Sequence, residues 1–269
     1  MILVSCRESF DDNRRFAADN AIRNYPNLAR LGNYATLDAN DFVEEVRGKH
    51  LLILVHGFRN PLNKVAPAYA RVEQGLWQHG LLDAGTYGMV IGFVWPGFET
   101  ALGFFAAERS ANRSAGYFRH LLLLAKGSAH TIDVQTHSLG ARVAFQAMAF
   151  PPELWVDNLL LSAPAVDNES LEPRREFNAS LQSCRRCLVY HSSKDGVLKV
   201  GYRIGAMDKA LGYKGPQHPN VIKQKCKEVF VVDCSAVVKS HGGYRTAARY
   251  YRHWGRVVRE EPLDQFEKL

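Results

Sequence analysis

The sequence predicts an α/β fold with a doubly wound, mostly parallel sheet flanked by helices (α/β class). Three observations carry this expectation. Short runs rich in Val, Ile and Leu recur along the chain, and most lack the strict polar alternation of a half-exposed strand. That pattern marks strands of a parallel sheet covered by helices on both faces. The gaps between runs are roughly 20 to 40 residues, long enough for the crossover helix that parallel neighbours require. Within the gaps, apolar residues fall at three-and-four spacing.

In chain order, strands are expected at 2–5, 51–56 (LLILVH), 89–94 (MVIGFV), 131–135 (TIDVQ), 158–162 (NLLLS), 187–191 (CLVYH) and 229–233 (VFVVD). Helices are expected at 62–78, 108–125, 138–149 and 243–254. From residue 51 onward the order is therefore β, α, β, α, as a doubly wound sheet demands. Residues 1–47 read as a less regular segment, in which Asp41 and Glu44 suit the start of a short helix. "DANDF" does not make a calcium loop, because Phe42 takes the fifth position and no Gly follows at the sixth. The charged tail 256–269, with Pro262, is expected to fray.

The 269 residues fit one large α/β domain spanning 1–269. With 46% hydrophobic and 23% charged residues, disorder is not expected. The formal charge of +7 is spread along the chain, and its densest stretch, "KQKCKE" at 223–228, has no interleaved aromatics for base stacking. A solvated basic surface is expected, with no nucleic-acid partner. Five cysteines without framework spacing imply reduced thiols and a cytoplasmic protein. The pair Cys184 and Cys187 leads into an apolar run, so Cys187 reads as a small buried hydrophobe and not as a metal ligand. "MILVSCRESF" has no basic leader and too short an apolar core for a signal peptide, and no stretch reaches the length of a membrane span.

The chemistry centres on "DVQTHSLGARVAF" at 133–145, where Ser138 stands between a strand-like and a helix-like run. A serine at such a turn is lifted above the carboxyl edge of the sheet, with the next helix pointing its amide dipoles at it. The turn calls for small residues two before and two after the serine. Gly140 meets that demand and Thr136, where a glycine is usual, meets it in part. Taken alone, the pentapeptide is equally compatible with Ser138 as a helix N-cap.

"LVHGF" at 54–58 ends an apolar strand with a turn able to supply an oxyanion donor. The backbone N–H groups of Phe58 and Leu139 are the expected donors, and His56 is expected to shape the turn. A serine needs an imidazole to remove its proton and a carboxylate to hold that imidazole's tautomer. Asp195, in "VYHSSKDGVL", and His241, in "DCSAVVKSHGGY", each follow a strand, so their loops converge on the crevice that receives Ser138. Asp167 is the alternative acid. His137 should project away from the serine, His191 should pack, His218 has no matching carboxylate context, and His253 should be a satisfied ring on the last helix.

"LILVHGF", "GFVWPG", "ERSANRSAGYFRHLL", "THSLGARV", "LLLSAPAVD", "VYHSSKDGVL" and "SHGGY" together resemble, in order and approximate spacing, the α/β-hydrolase superfamily. They look most like a bacterial hydrolase-like group of unknown function, over residues about 48 to 254. The resemblance implies a Ser-Asp-His triad, a backbone-amide oxyanion hole and no cofactor or metal. It does not imply a substrate. The expectation is a serine esterase or lipase-like hydrolase acting on a small-molecule acyl ester or thioester. An acyltransferase and a non-catalytic binding scaffold are the alternatives. Phe98, Leu102, Phe104 and Phe105, in "PGFETALGFFAAE", are the expected acyl-pocket residues, and the 201–226 insertion is expected to cover the site from the other side.

Overall fold

The structure is a computed structural model that describes residues 1–83, 85–98, 104–149, 156–202 and 209–269. Its centre is a sheet of ten strands: β1 (Ile2–Arg7), β2 (Phe16–Asn24), β3 (Ala35–Leu37), β4 (His50–Val55), β5 (Met89–Val94), β6 (Thr131–His137), β7 (Val156–Ser162), β8 (Cys184–His191), β9 (Val229–Asp233) and β10 (Phe266–Lys268). Their spatial order is β10-β9-β8-β7-β6-β4-β5-β1-β2-β3. Pairing is parallel from β10 to β1 and antiparallel only for β2 and β3.

The helices are α1 (Ala39–Val46), α2 (Leu62–Gln78), α3 (Phe104–Lys126), α4 (Gly140–Met148), the single turn α5 (Leu211–Lys214), α6 (Pro219–Lys225) and α7 (Ala248–Val258). Leu51 to Val55 of β4 and Leu159 to Leu161 of β7 are fully buried, which is why these runs carry no polar alternation. Burying each such aliphatic side chain contributes about 1.5–3 kcal/mol. The amphipathic α2 and α7 cover one face together, with Tyr251 stacking on Trp254 and on His79.

Three expectations need correction. Residues 1–47 hold three strands and a helix: β1 is fully buried beside β5, and β2 and β3 extend the sheet at that edge. The turns between these strands are long and irregular in sequence, and the exposed face of β2 hides its periodicity. The first helix is capped by Asp38, whose side chain accepts from Asp41 N–H while the Asp41 carboxylate accepts from Asp38 N–H. Asp41 thus takes the role expected of Glu44. The tail does not fray. It ends in β10 against β9, held by Arg256 donating to Glu267 at 2.9 Å.

The last helix also starts later than its periodicity indicates. Residues Gly243–Thr246 form a 3-10 turn, and α7 begins at Ala248. All five cysteines are free and buried, and burial pushes the Cys187 thiol well up. Among the described residues no helix is long and apolar enough to cross a membrane, and no His, Cys, Asp and Glu group is arranged to hold a metal ion.

Candidate active site

Strand β6 stops at His137 and α4 starts at Gly140, so Ser138 occupies a turn of minimal length. Its φ of 57° is left-handed, a conformation that costs a non-glycine residue roughly 1–2 kcal/mol. The backbone is held there on three sides. Ser138 N–H donates to Ser162 O at 3.0 Å, and Ser138 O accepts from Ala141 N–H and Ala165 N–H, both at 3.1 Å. Leu139 N–H makes no hydrogen bond with any described residue.

The close approach that this turn needs comes from two glycines. A β-carbon on Gly140 would stand 2.6 Å from the carbonyl oxygens of Val55 and His56. One on Gly57 would stand 2.8 Å from Ser138 Cβ and 2.9 Å from His137 O. Thr136 itself fits, wholly buried, between Val55 of β4 and Leu161 of β7. The closest contacts between the turns after β4 and β6 are made by Gly57 and Gly140, not at position 136.

Asp195 and His241 come together from the loops after β8 and β9. His241 Nδ1 donates to Asp195 Oδ2 at 2.7 Å, and Asp195 Oδ1 accepts from Leu198 N–H at 3.0 Å. The carboxylate is fully buried, whereas the imidazole keeps 19% of its side-chain exposure. Both loops are stitched together: Ser192 Oγ donates to Val238 O at 2.7 Å, and Ser193 N–H donates to Ser235 Oγ at 2.9 Å. With Nδ1 committed as donor, a neutral His241 carries its lone pair on Nε2. Asp167, the alternative acid, instead accepts from Tyr202 OH at 2.7 Å.

The His137 ring reaches the loop of His241. Its Nε2 donates to His241 O at 2.8 Å, and the two rings lie 4.6 Å apart. Burial, then the charges of Arg245 and His241, hold its pKa well below the ordinary value, so the ring is neutral. The residue preceding Ser138 therefore clamps the loop of the imidazole.

His56 shapes the turn after β4. Its Nε2 accepts from Trp95 N–H at 3.0 Å, which makes Nδ1 the protonated nitrogen that donates to Gly57 O at 2.8 Å. Burial and the Arg7 charge keep this ring neutral. Trp95 stacks on it and donates from Nε1 to His56 O at 2.8 Å.

Beneath the turn lies Arg7, buried at the end of β1. It donates to the carbonyl oxygens of Trp95, Phe10 and Asn60 at 2.7 to 3.1 Å, and among the described residues no carboxylate is a hydrogen-bond partner. Asn13 fixes the adjoining loop, accepting from Gly97 N–H at 2.9 Å and donating to Phe98 O at 2.6 Å. Sequence reasoning missed Arg7 and Asn13, although an arginine closing an otherwise apolar N-terminal strand was a usable signal.

The aromatic segment divides. Phe98 is half-buried, packed on the core with a φ of 57°, whereas Phe105 is 56% exposed on the first turn of α3. Phe104 opens α3, and Leu102 lies outside the described residues. Of the insertion, residues 203–208 lie outside the described residues. In the described remainder, which backbone bonds to Val166, Asn168 and Ser192 hold, His218 has, contrary to expectation, a carboxylate partner in Glu172 at 2.9 Å. His253 accepts or donates at Tyr190 OH, 3.0 Å away, and is buried as expected.

A profile of the family described as "alpha/beta hydrolase of unknown function (DUF900)" matches residues 33–253. No curated protein matches the chain.

Proposed function

From a chain that belongs to this alpha/beta hydrolase family, we propose a serine hydrolase that cleaves carboxylic esters or thioesters through an acyl-enzyme. The observation that supports this best is a strained serine at a strand-to-helix turn, one residue from a ring that packs on an Asp-paired imidazole. Ser138 Oγ attacks the carbonyl carbon as His241 Nε2 takes its proton. The carbonyl oxygen becomes an anion facing the N–H groups of Leu139 and Phe58.

Collapse of that intermediate expels the alcohol or thiol, which receives the proton from His241. Water then attacks the acyl-serine, again losing its proton to His241, and the acid leaves as Ser138 is reprotonated. Asp195 holds the tautomer and supports the imidazolium formed in each half-reaction. Phe98, which follows the Gly97 that packs against Gly57 O, is proposed to contact the acyl group, with Phe105 at the outer rim.

Purified Ser138→Ala, assayed on short p-nitrophenyl esters, should lose roughly four to six orders of magnitude in turnover. A fluorophosphonate probe should label the wild type at Ser138 and leave the variant unmodified. Near-normal turnover by the variant, or no labelling of the wild type, would defeat the proposal.

A further inference from the structure

The outer side of α7 carries a row of arginines. Arg249, Arg252, Arg256 and Arg259 stand three and four residues apart, so they line one side of the helix over about 15 Å. The other side, with Tyr250, Tyr251, Trp254 and Val257, is buried. Arg245 and, from α2, Arg71 extend the positive charge past the amino end of the row, where burial and then the charge of Arg71 lower the pKa of Arg245.

Acceptors within the protein are few. Arg256 pairs with Glu267 at 2.9 Å, and Arg259 donates to Gly80 O at 3.4 Å. Among the described residues, the guanidinium groups of Arg71, Arg245, Arg249 and Arg252 have no carboxylate or carbonyl partner. Helix α7 itself holds no acidic residue, and Glu260 just beyond it is engaged by Arg185 at 2.6 Å.

This arrangement works against folding. Like charges one turn apart repel, and cations in the first turn oppose the helix dipole. No side chain caps the amino end of α7 and no acid stands in its first turn to offset them. Local choices that cost stability without a compensating contact mark a surface kept for a partner, and here the partner must be anionic. Two features say which kind. The row is straight and convex, the shape that meets a plane of negative groups. The rings of Tyr250, Tyr251 and Trp254 are turned inward, so the row offers no platform for nucleic-acid bases. A groove of about 310 Å³ beside it, lined by Arg249, Arg252, Arg256 and Lys268 among others, gives head-group phosphates a seat.

We propose that this face of α7 docks the protein on an anionic lipid bilayer, with Arg249 and Arg252 donating to head-group phosphates and Arg71 and Arg245 adding charge at the end nearest His241. Clustered arginines on the polar side of an amphipathic helix bind such surfaces by electrostatic attraction. The proposal stands apart from the serine-hydrolase reading, since Ser138 takes no part in it.

Co-sedimentation with vesicles tests it, using phosphatidylcholine alone and phosphatidylcholine mixed with about one third phosphatidylglycerol. The wild type should bind the mixed vesicles and not the neutral ones, and added salt should release it. The double variant Arg249→Gln, Arg252→Gln should bind about tenfold more weakly or worse, with a melting temperature no lower than the wild type's. A control that removes the same charge at the opposite edge of the sheet, Arg14→Gln with Arg30→Gln, should bind nearly as the wild type does. Absence of wild-type binding to the mixed vesicles overturns the proposal, and capture by a DNA duplex in that case assigns the row to nucleic acid. Equal loss in the two double variants also overturns it, because net charge and not this row would then be the cause.

Discussion

Gly57 lies against Ser138 so closely that a β-carbon on the glycine would stand 2.8 Å from the serine's own Cβ. The turn after β4 and the turn after β6 thus form one packed unit, flanked by the proposed oxyanion donors Phe58 and Leu139.

Gly57→Ala should therefore displace the serine turn. Overpacking of this kind costs about 1–3 kcal/mol. The loss should appear mostly in kcat, with the melting temperature lowered modestly. Gly140→Ala meets the backbone oxygens of Val55 and His56 at 2.6 Å, closer than the 2.8 and 2.9 Å contacts at Gly57. It should be the more destabilising of the two in thermal denaturation.

The His137 to His241 carbonyl bond defines a positioning role that can be measured. Removing a buried donor leaves the His241 carbonyl unsatisfied, a cost of about 1–3 kcal/mol. If this loosens the imidazole, His137→Ala should lower kcat about tenfold to a hundredfold. His137→Gln, which keeps an N–H donor at similar reach, should recover part of that loss. Equal damage from both variants would argue for a packing role alone.

Arg7 joins three backbone carbonyls from separate segments, those of Phe10, Asn60 and Trp95. Arg7→Met leaves them buried without a donor and should destabilise the protein by about 3–5 kcal/mol, read from chemical denaturation. Arg7→Lys should fall between, because a point-charge ammonium cannot span the same fork of acceptors. Wild-type stability in Arg7→Met would show that the carbonyls find other partners.

Asp133 gives a stability prediction with a definite pH sign. It is fully buried at the amino end of the sheet, accepting from Tyr87 OH at 2.5 Å and from Asn158 N–H and Nδ2 at 3.0 and 2.8 Å. Burial raises its pKa from 3.8 to about 6. Folding therefore favours its protonated form. Its contribution is fully present below about pH 3.8 and is lost as the pH rises through 6. The stability difference between wild type and Asp133→Asn should move in favour of the variant by a few kcal/mol across that window. A difference that stays flat from pH 4 to 7 would refute the shift.

Local sequence determined much of this protein. The apolar runs became β4 to β9 within a few residues, α2 runs over the span its periodicity indicates, and the turn at Ser138 was legible because strand, turn and helix follow one another in the chain. These features depend on neighbours in sequence, which side-chain periodicity records directly. Tertiary structure alone decided the rest. The N-terminal hairpin brings Arg7 and Asn13 under a turn some 50 to 90 residues away. The tail becomes β10 only because β9 offers it an open edge. Asp195, and not Asp167, meets His241 because Ser192 and Ser193 tie the two loops together, while Tyr202 occupies the other carboxylate. Hydrogen bonds between distant segments leave no periodic trace in the chain, so which polar residues meet is settled only when the strands take their order in the sheet.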